Sequence, residues 1–308
     1  MGKSFSRELA CCRCCPRGCG VNRLVGETGF CRTGAGIPVA HIGLHFGEEP
    51  PISGSRGSGA IFFAGCNLRC LFCQNYQISQ EFQESDYRSL TPRELAAEMH
   101  RLEEAGAHNI NLVSPSHLIY PLADAISFAR TRGLTIPIVY NSNGYDSVAA
   151  LRQIRGLIDI FLPDLKYLDS HTAGELSAAP GYGEIVQEVL REMFTQVGHL
   201  EFDDAGVAKK GLLVRHLVLP GHLENSRSCL RFLAGLSRNL TISIMSQYSP
   251  QHKAKNHHRL NRTLSAEEYD AIIDDAMTLG LENAFVQEGG SSDEYLPDFS
   301  KPDPFESQ

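Results

Sequence analysis

Long apolar runs are missing from this chain of 308 residues. No stretch approaches the roughly 20 consecutive apolar residues that a membrane-spanning helix needs. The opening residues, MGKSFSRELA, also lack the apolar centre of a secretory signal. These two absences predict a protein without membrane association, located in the cytoplasm.

A basic stripe is missing as well. The formal net charge is -8, and the Lys and Arg residues are spread along the chain rather than clustered. Proteins that bind nucleic-acid backbones carry a concentrated basic surface. The sequence therefore predicts no nucleic-acid partner.

Cysteine, by contrast, is abundant and unevenly placed. Of the ten cysteines, six lie between residues 11 and 31, three lie between residues 66 and 73, and Cys229 stands alone. Disulfide frameworks suit small secreted domains, whereas clustered thiols in a large cytosolic chain more often bind metal. Cys229 lies in a helical pattern and is interpreted as a buried thiol.

A strand-then-helix rhythm begins near residue 59 and repeats six times. Several of the helices carry start signals, such as the capping box formed by Thr91 and Glu94. Strands that alternate with helices favour a parallel sheet with right-handed crossovers. The pattern predicts a partial (β/α)6 TIM-like barrel, with an open doubly wound sheet as the alternative. The strands are predicted at GAIFFAG, NINLV, IPIVYN, LIDIFLPDL, GLLVRHLVLPG and LTISIMSQY.

Two segments fall outside this rhythm. Residues 1–56 are rich in cysteine, glycine and proline, and we interpret them as a metal-binding extension and linker. Residues 57–288 form the predicted barrel. Residues 289–308 form an acidic, extended C-terminal tail that aromatic side chains such as Phe299 could dock.

The loop FAGCNLRCLFC places Cys66, Cys70 and Cys73 directly after the first predicted strand. In parallel α/β barrels, the loops after the strands line the functional mouth. Thiolates are the ligands of iron-sulfur clusters, and a cluster of four irons needs four ligands. Three cysteines would leave one iron open to a small molecule. The alternatives are a structural zinc loop completed by a distant ligand, or three unrelated buried thiols.

The spacing Cys66-x3-Cys70-x2-Cys73 after a strand resembles the radical S-adenosylmethionine (SAM) superfamily. The resemblance implies a 4Fe-4S cluster on these cysteines, with SAM as the ligand of the open iron. It implies reductive cleavage of SAM to methionine and a 5′-deoxyadenosyl radical, which abstracts a substrate hydrogen. It also implies a low-potential electron donor such as flavodoxin or ferredoxin. Phe72 matches the aromatic residue that the superfamily places near the adenine.

Later strand ends narrow the resemblance. VYNSNGY, LPDLKYLD and VRHLVLPG resemble activating enzymes of glycyl radical enzymes, the pyruvate formate-lyase activase type, and are closest to the PflX-type branch. This implies a protein substrate, specifically a glycine of a partner enzyme. Two other functions stay open: radical SAM modification of a small molecule or another peptide, and a metal-stabilised binding or electron-transfer protein without SAM turnover.

The resemblance also implies a cofactor site at the strand ends. Lys166 can neutralise the SAM carboxylate, and Asp164 and Asn143 can hydrogen-bond its polar groups. The superfamily's Gly-Gly-Glu is replaced by NLVSPSH, and the activase Asp of the third-strand turn is replaced by Asn141. The predicted cofactor-binding residues are Phe72, Ser114, Ser116, Asn141, Asn143, Asp164, Lys166 and Arg215.

The end of the sixth predicted strand offers candidates for substrate contact. Gln247 and Tyr248, in the segment MSQYSP, are placed there. Packing at the barrel rim is the alternative for both residues.

The N-terminal cysteines form a second candidate metal site. Four thiolates can close around a tetrahedral zinc ion or a second iron-sulfur cluster, which suits a structural role. Unliganded thiols are the alternative. The predicted ligands are Cys12, Cys15, Cys19 and Cys31, with Cys11 and Cys14 as spare members that could substitute in the register.

Overall fold

The computed structural model describes residues 5–287 and 296–305. Within these residues the strands are β1 (Ile37–His45), β2 (Ser58–Phe63), β3 (Arg88–Leu90), β4 (Ile110–Val113), β5 (Ile138–Asn141), β6 (Ile160–Phe161), β7 (Glu201–Phe202), β8 (Ala208–Leu217), β9 (Thr241–Met245) and β10 (Ala284–Val286). The α-helices are α1 (Pro50–Ser53), α2 (Tyr76–Ser79), α3 (Pro92–Glu104), α4 (Ile119–Thr131), α5 (Val148–Gln153), α6 (Ser170–Ser177), α7 (Tyr182–Val197), α8 (Leu223–Leu236) and α9 (Ala266–Thr278). None of these helices is long and apolar enough to cross a membrane.

The parallel part of the sheet has the order β2-β4-β5-β6-β8-β9-β10. All six predicted strands are present in it, and helices connect them. The order follows the chain without a reversal, whereas a doubly wound sheet needs a switch point. The partial barrel is therefore confirmed and the doubly wound alternative is wrong. The strand β10 was not predicted, because a run of three residues is too short to show a pattern.

The helix starts follow local chemistry. The Glu94 backbone N–H donates to the Thr91 hydroxyl over 3.3 Å, and the Thr91 N–H donates to the Glu94 carboxylate over 2.8 Å. Ser265 and Glu268 form the same capping box in front of α9. Cys229 is fully buried on α8, as interpreted from the sequence. Local signals therefore predicted these elements correctly.

The sheet begins earlier than the predicted boundary at residue 56. Strand β1 pairs antiparallel with β2 along its length, and β3 pairs antiparallel with β1. Helix α1 then places Ile52 inside the barrel, in a small core that includes Val139 and Ile160. Residues 37–56 are thus part of the barrel structure and not a linker. Their antiparallel pairing lacks the strand-then-helix rhythm that the prediction relied on.

The two faces of β2 divide the core. Ile61 and Phe63 belong to the main core, where Met99 of α3 packs, while Ala60 and Phe62 belong to a small separate cluster. Of the predicted tail, residues 289–295 and 306–308 lie outside the described residues. In the described part, the Phe299 ring lies 5.5 Å from the Phe62 ring and the Phe305 ring lies 5.3 Å from it. Docking through Phe299 is confirmed.

Candidate active site

A cavity of about 630 Å³ lies at the carboxyl ends of the parallel strands. This volume is within the range of small-molecule sites. Among the residues that line it, the predicted ones are Cys66, Cys70, Phe72, Cys73, Ser114, Asn141, Asn143, Asp164, Lys166, Arg215 and Gln247. The topology thus brings most of the predicted site residues to one place.

A glycine allows the loop after β2 to start. Gly65 has a φ of +81°, and a Cβ there would lie 2.6 Å from the Cys31 carbonyl oxygen and 2.7 Å from the Thr33 methyl group. Only glycine fits this left-handed backbone and close approach. The cysteine loop therefore leaves β2 in close contact with Cys31 and Thr33 of the N-terminal segment.

The thiols of this loop are held by hydrogen bonds. The Asn143 side-chain amide donates to the Cys66 sulfur over 3.4 Å, and the Ser177 hydroxyl donates to the Cys70 sulfur over 3.0 Å. Burial raises the pKa of Cys66 to about 11 and that of Cys73 to about 12, and it also raises the pKa of Cys70. Metal binding by these thiols must therefore release protons.

An ion pair lines the same cavity as the thiols. The Lys166 ammonium lies 2.6 Å from the Asp164 carboxylate. Burial alone would lower the pKa of Lys166, but the charges of Asp164 and Cys70 raise it on balance, so the ammonium stays charged. Gly144 permits this arrangement, because a Cβ at its φ of +76° would lie 2.3 Å from the Asp164 carbonyl oxygen. The predicted Asn-Gly turn and the Asp-Leu-Lys segment are therefore packed against each other.

The two serines predicted after the second strand have different places. Ser114 lines the cavity with a φ of +60°, and its N–H donates to the Asn141 carbonyl oxygen. A non-glycine residue in this region is uncommon and is concentrated at functional sites. Ser116 is 1% exposed and is not among the lining residues. Of the two proposed acceptors, only Ser114 faces the cavity.

The two candidates at the end of β9 also differ. Gln247 lines the cavity, and its backbone N–H donates to the Gln287 side-chain carbonyl over 3.2 Å. Tyr248 is 1% exposed, does not line the cavity, and donates its hydroxyl proton to the Leu260 carbonyl. Its ring packs edge-on against Phe72, which does line the cavity. Tyr248 therefore packs on the side of Phe72 and does not itself line the cavity. Gln287 directly follows the short strand β10, which the sequence patterns did not predict.

Arg215 forms the floor of the cavity with two glutamates. Its guanidinium donates to the Glu49 carboxylate over 2.8 Å and 2.6 Å and contacts Glu48 as well. Glu48 also accepts from the Asn111 amide over 2.7 Å, and Asn141 accepts from Arg215 over 3.4 Å. Two carboxylates already engage the guanidinium that was predicted to bind the cofactor, so Arg215 builds the floor. Both glutamates were missed because their segment, GEEPP, was interpreted as a linker.

The N-terminal cysteines differ in their exposure. Cys19 is exposed, whereas the Cys14 sulfur is buried 3.8 Å from the Cys12 sulfur. The side chain of Arg23 enters this group and donates to the Cys31 sulfur over 3.2 Å. The buried thiols of the segment are Cys12, Cys14, Cys15 and Cys31.

Neither thiol group forms a single-ion site. Among residues 5–287 and 296–305, no three or more His, Cys, Asp or Glu side chains are placed to hold one metal ion. A four-iron cluster is much larger than an ion, and three thiolates are its natural partial ligand set. The loop thiols, which border an open cavity, fit such a cluster. The N-terminal site, predicted at Cys12, Cys15, Cys19 and Cys31 with Cys11 and Cys14 as spare members, stays a prediction.

Residues 60–233 match the family model of the radical SAM superfamily, and the chain belongs to this superfamily. Its members are enzymes that work with a 4Fe-4S cluster and SAM. The uncharacterized protein MJ0674 of Methanocaldococcus jannaschii is 30% identical over 278 residues, which are 88% of this chain and 75% of that protein. MJ0808 of the same organism is 28% identical over 148 residues, which are 44% of this chain and 43% of that protein.

Two solved structures are also similar. SuiB of Streptococcus suis, bound to its precursor peptide SuiA, has a TM-score of 0.49 and 12% identity, covering 72% of this chain and 46% of SuiB. A domain of a pyruvate-formate lyase-activating enzyme from Bacteroides vulgatus has a TM-score of 0.39 and 16% identity, covering 54% of this chain and 89% of the domain. This chain thus spans about half the length of SuiB. Similarities of this size do not define a function.

Proposed function

We propose that this protein is a radical SAM enzyme that abstracts a hydrogen atom from a protein or peptide substrate. One observation carries the proposal. Cys66, Cys70 and Cys73 share a cavity with Lys166 and Asn143, although these residues follow different strands. A thiol set that borders an open volume beside a cation and a hydrogen-bonding amide suits a cluster with a zwitterionic cofactor.

The three loop cysteines would hold the 4Fe-4S cluster and leave its fourth ligand to SAM. When bound, these groups supply the one-electron reductive cleavage of SAM that generates the radical. Lys166 would bind the SAM carboxylate, because Asp164 keeps it charged and in place. Asn143 donates to the Cys66 sulfur and to the Asn67 side-chain carbonyl, so it would hold the loop thiol in place beside the same ligand.

The remaining walls would orient the adenosine and exclude water. Phe72 is buried, offers a flat apolar surface to the cavity and is backed by Tyr248. Phe62 and Phe305 line the cavity as well and pack against each other. Apolar walls protect a reactive intermediate from side reactions with water.

Anaerobic reconstitution with iron and sulfide tests the enzyme. After reduction with dithionite, we expect an electron paramagnetic resonance signal that changes on addition of SAM, together with 5′-deoxyadenosine as a product. Cys70→Ala should lose both readouts. The matched control is Cys229→Ala, which removes a buried thiol on α8. A cluster whose signal ignores SAM, without cleavage product, would instead identify a binding or electron-transfer protein.

For the substrate, we propose a glycine in a partner enzyme. The support is the resemblance of the NSNGY and PDLK segments to activases of glycyl radical enzymes. Incubation with a glycyl radical enzyme, SAM and reductant should give a stable glycyl radical signal in that partner. Production of 5′-deoxyadenosine with a different peptide or a small molecule, but without that signal, would replace this substrate and keep the radical chemistry.

A further inference from the structure

Two arginines lie against the backbone of the cysteine loop, and a third lies against the backbone that follows α2. Arg69 donates to the Cys66 carbonyl over 2.8 Å, Arg17 donates to the Asn67 carbonyl over 2.9 Å, and Arg32 donates to the Gln80 carbonyl over 2.8 Å. None of the three lines the cavity. Arg32 is exposed, and the other two are partly exposed. We refer to Arg17, Arg32 and Arg69 as the loop arginines.

The loop arginines carry positive charge that no described carboxylate neutralises. None of them forms a salt bridge within the described residues, whereas arginines such as Arg152 and Arg262 do. The guanidinium carbons of Arg17 and Arg69 lie 3.8 Å and 4.2 Å from the centre of the Phe30 ring. Stacking on one aromatic ring holds two like charges side by side. This concentration of charge contrasts with the chain's net charge of -8.

We propose that the loop arginines form the docking surface for an acidic one-electron carrier protein. The inference rests on the proposed function, because that function needs an electron at the cysteine loop. The carrier is oxidised by one electron, the centre held by Cys66, Cys70 and Cys73 is reduced by one electron, and no atom is transferred.

Position and charge both support this partner. Electron transfer slows steeply with distance, so a carrier must dock close to the cysteine loop. Arg69 and Arg17 contact that loop directly, and Arg32 contacts Gln80, whose side chain donates to the Cys70 carbonyl over 2.9 Å. A complementary surface charge orients a partner and accelerates its association. Nucleic acid, the other class of polyanion, binds along a longer basic track than three residues provide.

The test compares two reductants on the reconstituted protein. Stopped-flow absorbance follows cluster reduction by a photoreduced acidic flavodoxin and, separately, by dithionite. In the double variant Arg17→Glu/Arg32→Glu, we expect flavodoxin to reduce the cluster about tenfold more slowly at low salt. Dithionite, which needs no docking surface, should reduce it at the wild-type rate. The wild-type rate with flavodoxin should also fall as salt is added.

Two control variants separate charge from structure. Arg17→Lys/Arg32→Lys keeps the charge and should keep the flavodoxin rate. Arg191→Glu removes an arginine that stacks on Phe232 in the outer helical layer, and it should behave as wild type. Equal flavodoxin rates in the double glutamate variant and Arg191→Glu would overturn the docking surface. So would an equal loss in the lysine variant, or a rate that salt does not change.

The same variants distinguish this inference from the proposed function. Binding of fluorescently labelled flavodoxin requires no cluster, and we expect the double glutamate variant to weaken it about tenfold at low salt. If no 4Fe-4S cluster forms in the wild type, the proposed function fails while this binding measurement still decides the surface. Unchanged binding of flavodoxin, or tighter binding of a single-stranded RNA at the same residues, would overturn the acidic carrier protein as the partner.

Discussion

Two regions of this protein concentrate thiols beside a cation, and they differ in what surrounds them. In the cysteine loop, Cys70 lies near Lys166, and both border the cavity of about 630 Å³. In the N-terminal segment, Cys31 accepts a hydrogen bond from Arg23, which is only 2% exposed. Both regions could bind metal by composition. Access to an open cavity, and not the density of thiols, is what distinguishes the candidate active site.

Burial raises thiol pKa values in both groups, with Cys12 of the N-terminal segment as an exception. Burial raises the pKa values of Cys66, Cys70 and Cys73. In the N-terminal segment, burial raises the pKa of Cys15 to about 12, whereas the hydrogen bond shared with Cys14 lowers the pKa of Cys12, and Arg23 acts in the same direction on Cys12. The buried guanidinium thus already supplies the N-terminal thiols with a positive partner. The cation beside the loop thiols, Lys166, is paired with Asp164 and borders the open cavity, which fits a site that receives a metal cluster.

The largest expected effect separates the regions by metal content. Cys73→Ala should lower the iron content after reconstitution by at least about tenfold, because a cluster held by three thiolates loses a ligand. Cys31→Ala should leave that iron in place. Both values come from metal analysis of the folded, desalted proteins. Equal loss in the two variants would show that the regions share one centre. Metal that remains in Cys73→Ala would place the predicted second site at the N-terminal thiols.

The second expected effect concerns the stability of the N-terminal segment. Arg23 donates to the Cys31 sulfur and, over 2.9 Å, to the His117 carbonyl oxygen. Arg23→Met should lower the free energy of unfolding by about 3 kcal/mol, because two buried acceptors lose a charged donor. Urea unfolding measures it, with the exposed Arg238→Met as the control. A loss below about 1 kcal/mol would mean that the guanidinium is not needed to hold the thiols.

The third expected effect is a pH dependence of stability that arises from His117, which lies between the two regions. His117 shares a hydrogen bond with the Ala64 carbonyl, and burial, with Arg23 adding to it, lowers its pKa from 6.5 to about 3. The folded protein therefore favours neutral His117, while the unfolded chain takes up a proton below pH 6.5. Stability from this residue is complete above pH 6.5 and is lost as the pH falls toward 3.

Between pH 7 and pH 5 we expect the wild type to lose about 2 kcal/mol more than His117→Gln. The glutamine amide reaches the position of the imidazole Nε2 and can still donate to the Ala64 carbonyl. Urea unfolding at the two pH values measures the difference. The same pH response in both proteins would remove His117 as its source.

The smallest expected effect concerns SAM binding in the cavity beside the cysteine loop. Lys166→Gln should weaken SAM binding about tenfold, because the cofactor carboxylate loses its cation while the cavity keeps its shape. Equilibrium dialysis with the reconstituted protein measures this affinity. Lys209→Gln, which breaks a surface ion pair with Asp203, is the control. Unchanged affinity in Lys166→Gln would assign the lysine to Asp164 alone.

Elements with local signals were predictable from the sequence, and elements that depend on distant partners were not. The capping boxes of α3 and α9 depend on residues three apart, so they could be read directly. The floor formed by Arg215 and Glu49 joins residues 166 positions apart. The exposure of Cys19 and the burial of Cys14 depend on how the N-terminal segment packs, and the spacing of the cysteines does not contain that information.

By itself, the sequence determined the barrel class, the family and the loop that carries Cys66, Cys70 and Cys73, because apolar periodicity and short motifs act over a few residues. Only the tertiary structure decided that β1 belongs to the sheet, that Ser114 faces the cavity while Ser116 and Tyr248 do not, and that Arg215 is engaged by Glu48 and Glu49. Such outcomes depend on the direction of each side chain and on charges brought together by folding. The few residues on either side of a position do not specify them.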